Sequence, residues 1–423
     1  MDIELRETIR NMPYRKRNHG LSAAEVYDLG LLIKFINFLI RFADYIPIAP
    51  LRNLVLMFTM MMSFVVLNVL CVQSSEVNKV NSANKNRTFD SFTDEECWHN
   101  LRFRRHELIY LFELSGFPAV VTCTNGLSCP GEHAFMLMLY RLAYPCRLST
   151  LQDIFGREYT QLSRIFKFAI NFMYVNHKHK VHGNLEWYSD RFDMYHEAVV
   201  RKIMKCPKNP NIGNVPIEVS NVFAFIDGTG LEIARPSNGA QNPFYNGYMH
   251  GHYLIFQGIS FPDGLLVIEG AFPGYQPDTM VWRDSVMRHE LERIMVERTA
   301  EGRHRYKLYA DKIYQNNALI TAAYNVRNNP AGLTQWQIEL NRLMSDIRVA
   351  VEWSFGKVVE RNKFVSFGKS MKIQGSPVSK YYHVAILLAN SHTCMYGCQH
   401  TRYFNILPPS IEEYYAQEEQ IHN

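Results

Sequence analysis

The 423 residues, 47% of them hydrophobic and 20% charged, suffice to bury a large core and exclude global disorder. Forty-five Lys and Arg against 40 Asp and Glu leave a net charge of +5, which permits a polyanionic partner without demanding one. Eight cysteines are too sparse for a disulfide scaffold, and no sustained period supports a solenoid or a coiled coil.

Residues 1–73 read as an apolar amino-terminal extension containing a hydrophobic helical segment. Within it, Leu54 to Val72 run nineteen residues without a charge, about the length of a membrane-spanning helix. Lys34, Arg41 and Arg52 precede the run and Lys79, Lys85 and Arg87 follow it, so flanking charge does not orient it. A buried or partner-facing helix is the competing reading. Residues 74–91, rich in Asn and Ser, read as a polar linker.

An all-α region is expected over 92–180. Thr93 before Asp94, Glu95 and Glu96 is a helix start, and Pro130 suits the first turn of another helix. Two amphipathic stretches hinge at Gly156-Arg157, the grammar of a helix-turn-helix. On that reading Arg157, Arg164 and Lys167 contact DNA; a small packing bundle has the same pattern. Residues 181–220 read as connection.

From 221 to 395 the pattern is that of an α/β layered domain, followed by a carboxy-terminal tail over 396–423. VFAFID is an apolar strand stopped by Gly228, and Pro262-Asp263-Gly264 turns one β-rich run into the next. Helical and strand patterns then alternate through YKLYA (306–310) to a long helix over 341–363.

Four carboxylates stand out. Asp227 and Asp311 each end a buried strand, and two parallel neighbouring strands would present both at one sheet edge. Glu352 lies in the apolar stretch Val349-Ala350-Val351-Glu352-Trp353, which suggests a carboxylate away from the solvated face. Asp278 follows the Pro273-Gly274 turn at a helix start. Four oxygen donors on separate elements suit hard divalent cations, Mg²⁺ or Mn²⁺. The plainer readings are an Asp-Gly turn at Asp227, a helix cap at Asp278 and a pairing of Glu352 with Arg348.

The strings FIDGTGLEIARPS (225–237), QNPFYNGYMHGHYLIFQGISFPDGLL (241–266), PGYQPDTMVWRDS (273–285), YKLYADKIY (306–314) and MSDIRVAVEWSFGKV (344–358), in this order, resemble the Harbinger family of DDE transposases and transposase-derived nucleases. The resemblance covers roughly 92–415. It implies an RNase H-like mixed sheet with flanking helices, behind a helix-turn-helix-like domain. It also implies a metal-dependent nuclease in which Asp227, Asp311 and Glu352 are catalytic, with Asp278 as a fourth metal ligand. DNA is the implied substrate, a separate DNA-binding protein an implied partner, and the nucleus the implied location. Pro277 in place of the family's His, Ala310 in place of its Gly, and Met249-His250 in place of a basic pair depart from the family pattern. A catalytically inactive, domesticated DNA- or protein-binding module is the alternative, and a protein tethered to a membrane through 54–72, its fold a scaffold, is a third reading.

Overall fold

The computed structural model describes residues 86–416 apart from 212, 238–240 and 329–330, together with 36, 38–43, 49–61 and 63. The chain divides into two units, Met1–Ala83 and Asn84–Asn423. In the first, the described residues are helical. Among the described residues no helix is long and apolar enough to cross a membrane. Only 54–61 and 63 of the Leu54–Val72 run are described; its remainder lies outside them.

The second unit begins with helices. α1 (Asp94–Leu101) starts at Thr93 in a reciprocal cap: Glu96 N donates to Thr93 Oγ1 at 3.2 Å, and Thr93 N donates to Glu96 Oε2 at 2.7 Å. α2 (Arg105–Leu114) leads to a small hairpin, β1 (Val120–Thr122) with β2 (Ser128–Pro130). α3 (Gly131–Ala143) is buried over most of its surface; α4 (Leu148–Phe155) and α5 (Tyr159–His177) pack on it. Gly156, with φ of +65°, closes α4 in the left-handed conformation that glycine adopts most readily.

Residues 181–220, read above as connection, hold two helices, α6 (Leu185–Ser189) and α7 (Phe192–Lys205). The signal was a stripe of Tyr195, Ala198, Val199 and Ile203 on one face, obscured by the polar residues between them. α7 lies against β3 (Val222–Glu232), the central strand of a curled mixed sheet.

The sheet adds β4 (Tyr245–Asn246), β5 (Gly251–Ser260) and β6 (Leu266–Pro273) in antiparallel order. After α8 (Asp278–Arg283) and α9 (Val286–Ala300) come β7 (Lys307–Ala310) and β8 (Ile320–Ala322), both parallel to β3. The order across the sheet is β6–β5–β3–β7–β8, with β4 beside the start of β5. β3 does not stop at Gly228. It continues to Glu232, because β5 pairs with it from Phe225 onward.

α10 (Gln335–Arg361) crosses the sheet at β3 and β5, where the Phe355 ring lies over Gly258, the β5 residue paired with Asp227. α11 (Val378–Tyr396) is buried on almost every side, and α12 (Gln399–Phe404) and α13 (Ile411–Tyr415) close the unit. Inside it, Asn390 exchanges two hydrogen bonds with the Leu266 backbone, at 3.1 and 2.9 Å.

Candidate active site

Asp227 sits midway along β3, and Asp311 follows the last residue of β7. The parallel register pairs Phe225 with Tyr309, so continuing it by two residues sets Asp227 beside Asp311. Asp278 opens α8 and reaches the same place from across the sheet. It fits because residue 228 is glycine: a Cβ there would stand 2.1 Å from Asp278 Oδ1 and 2.4 Å from its Cγ.

The three carboxylates sense one another. Burial pushes the Asp278 carboxyl up to about 6, with Asp227 and Asp311 adding like-charge repulsion. Burial also raises Asp227, against the pull of Arg348, whose Nη1 donates to Asp227 Oδ2 at 2.7 Å. The Gly228 N–H donates to the other Asp227 oxygen at 3.1 Å, so the Asp-Gly turn contact exists within a continuous strand.

Beneath the carboxylates lie two residues that sequence reasoning missed. Gln257 is fully buried and donates from Nε2 to the Asp278 carbonyl at 3.1 Å and to the Tyr314 hydroxyl at 2.8 Å. Burial and the nearby charges of Asp278 and Asp227 hold the Tyr314 hydroxyl well above its ordinary range, so it stays protonated. The available signal was Gln257 itself, a polar residue amid the apolar run YLIFQGISF.

Glu352 departs from expectation. Its side chain is 65% exposed, and among the described residues its ion pair is with Arg348 at 3.9 Å, one helical turn back. The apolar neighbours misled because sequence neighbours in a helix do not share a face. Ile347, Ala350, Val351, Ser354 and Val358 make the buried stripe, and Glu352 lies a hundred degrees past Val351. Arg348 therefore stands between Asp227 and Glu352 and pairs with both. Among the described residues no three His, Cys, Asp or Glu side chains converge so as to hold a metal ion as they stand.

The candidate DNA contacts also separate. Arg157 is buried at 8% exposure in the turn before α5, where its guanidinium donates to Asn86 Oδ1 at 2.6 Å. That corrects its reading as a surface contact: the tight turn draws the side chain inward to a polar partner. Arg164 and Lys167 are exposed on α5, and Lys167 Nζ donates to the Gly375 carbonyl at 2.8 Å.

The sequence model of the DDE superfamily endonuclease family matches residues 226–390, a stretch that includes all four acids, Gln257, Tyr314 and Arg348. No curated protein and no solved structure matches the chain.

Proposed function

We propose that this chain is a divalent-metal-dependent DNA endonuclease of the DDE type, similar to the Harbinger transposases, which hydrolyses or transfers DNA phosphodiesters. The observation that carries the reading is that Asp227, Asp278 and Asp311, from two parallel strands and a helix start, lie near enough for their charges to interact, within the stretch matched by the endonuclease family. The strand order β6–β5–β3–β7–β8, antiparallel on one side of β3 and parallel on the other, supports an RNase H-like sheet.

The donor chemistry fits Mg²⁺ or Mn²⁺: neighbouring carboxylate oxygens are hard ligands, and a carboxyl raised to about 6 by burial, with like charges adding to it, is one that a cation would relieve. Asp227, Asp278 and Asp311 would hold the ion, with Glu352 joining from α10. Bound there, it would polarise the phosphodiester and lower the pKa of an attacking water. The chain's own part is positional. Gln257, which also donates to the Tyr314 hydroxyl, anchors the backbone of Asp278, Gly228 leaves room for its carboxylate, and Arg348 neutralises Asp227.

The test is nicking of supercoiled DNA with Mg²⁺ or Mn²⁺. Asp227→Asn keeps the shape and removes the anionic charge, so it should abolish nicking while leaving DNA binding largely intact. Wild-type rates after that substitution would place the chemistry elsewhere. The alternative, a silent binding module, is favoured by one observation: Arg348 occupies Asp227 while Glu352 faces solvent. It predicts no binding of either cation and no cutting. The proposed location is the nucleus, the membrane alternative resting on 54–72.

A further inference from the structure

No acidic residue occurs between Glu158 and Glu186, or between Glu360 and Glu412. The two acid-free stretches lie about two hundred positions apart in sequence, yet α5 packs on α11 and touches the segment before it. Phe166 of α5 holds the join: its ring meets Phe364 at 5.8 Å and Tyr381 at 5.3 Å. Two lysines cross it in opposite directions. Lys167 Nζ donates to the Gly375 carbonyl at 2.8 Å, and Lys380 Nζ donates to Asn171 Oδ1.

With the opposite face of α5 buried, Thr160, Arg164, Lys167, Asn171 and Val175 form its exposed stripe at helical spacing. Lys363, Lys369 and Lys372 continue the positive charge on the adjoining segment, all three exposed. Among the described residues none of these six cations (Arg164, Lys167, Lys363, Lys369, Lys372, Lys380) forms a salt bridge with a carboxylate. Lys167 and Lys380 spend their donors on neutral groups and keep their charge. The nearest acids along the chain are Glu360 and Glu158, and Glu232 packs on Gly368.

The strip also has a defined relation to the acid site. β3 runs on from Asp227, and Ala234 N donates to the Met371 carbonyl at 3.0 Å, in the middle of the lysine segment. Seven residues of extended chain separate Asp227 from that contact, roughly 23 Å. That is about seven base-pair steps of a duplex.

We infer that the strip formed by the exposed stripe of α5 and residues 363–380 is the track for the phosphate backbone of double-stranded DNA whose scissile bond lies at Asp227. This rests on the endonuclease reading and replaces the turn at Arg157 as the DNA-contacting feature. Six cations, none of them in a salt bridge among the described residues although the Glu232 side chain packs beside them at Gly368, suit a regularly spaced polyanion, and the distance to the acids suits one continuous helix bridging both.

Binding, not cutting, is the test, so that the strip and the nuclease can fail separately. The full chain is titrated into a labelled short duplex by fluorescence anisotropy, in EDTA, from about 50 to about 200 mM salt. Six phosphate contacts give a slope of log affinity against log salt near −5. Replacing Lys363, Lys369 and Lys372 by Gln removes exposed charge without a hydrogen bond in the fold. The melting curve should hold, the slope should shrink by roughly three units, and affinity at about 0.1 M salt should drop about a hundredfold. A control, Arg201→Gln with Lys205→Gln on α7, should keep the wild-type slope. A triple variant with wild-type slope overturns the inference, as does an equal loss in the control or a wild type that binds no duplex. So does a triple variant that loses affinity for polyglutamate alone, which assigns the strip to an acidic protein. In each of those cases metal-dependent nicking still judges the nuclease reading by itself.

Discussion

Gly228→Ala isolates the geometry of the three aspartates from the stability of the fold. The backbone at 228 is an ordinary strand conformation, so alanine is tolerated there without strain. Its Cβ would meet Asp278 Oδ1 at 2.1 Å, and regaining a contact of about 3.4 Å requires the carboxylate to retreat by about 1.3 Å. The atoms that must yield are the end of one side chain, not backbone, so the unfolding free energy should change by no more than about 1 kcal/mol. A misplacement of about 1 Å at a reacting centre costs on the order of a hundredfold in rate, and nicking should fall by that factor. Moved away from Asp227 and Asp311, the Asp278 carboxyl should also titrate below its present value of about 6, which carbon-13 NMR reads without any turnover. Because the effect runs through Asp278, adding Gly228→Ala to Asp278→Asn should slow nicking scarcely further than Asp278→Asn alone. Wild-type nicking and an unchanged Asp278 titration in Gly228→Ala would refute the reasoning, as would rate losses that multiply in the double variant.

Arg348→Met removes the guanidinium that competes for Asp227, so calorimetry should show Mn²⁺ binding strengthened by about tenfold; weaker binding would mean that the arginine supports the site. Asp278 carries a pH signature with a definite sign. Its folded value near 6 exceeds its ordinary 3.8, so the metal-free folded chain holds an extra proton between them, and stability falls as pH rises through that window. Asp278→Asn should therefore gain about 2 kcal/mol relative to wild type between pH 4 and pH 7 in urea unfolding, and an equal difference at both pH values would contradict it. His133, His392 and His400, held near 3 by burial, and His177 and His383, near 4, impose the opposite slope on both proteins, with stability complete above 6.5 and lost below it; the variant-minus-wild-type difference removes that background.

What was legible in the sequence were runs of one character. VFAFI and KLYA announced buried strands, and Thr93 with Glu96 announced a helix start, because strand burial and capping are local properties. The adjacency of Asp227 and Asp311 needed only that two such strands lie parallel. Glu352 shows where local reading fails. Its company in sequence is apolar, but the helix turns it out of the buried stripe, and only tertiary packing fixes where that stripe lies. α7 was hidden because polar residues on its outer face outnumber its apolar stripe. Three-residue β8 has too few positions to show a period. The Gln257–Tyr314–Asp278 arrangement joins residues 57 and 21 positions apart in sequence through hydrogen bonds that only the pairing of β5 with β3 brings about.

The burial of α11 on nearly every side bears on where the cooperative unit of the chain ends. The matched stretch ends at residue 390, inside that helix, and Asn390 itself donates to the Tyr414 hydroxyl at 3.2 Å. Lys180, buried before the sheet begins, donates to the Tyr415 carbonyl at 3.0 Å. A recombination break at either edge of the matched stretch would strand apolar helix faces on both products. The matched stretch and the helices on either side of it therefore share one core, and a damaging change in α5 or α13 would disturb the setting of the aspartates as surely as a change beside them.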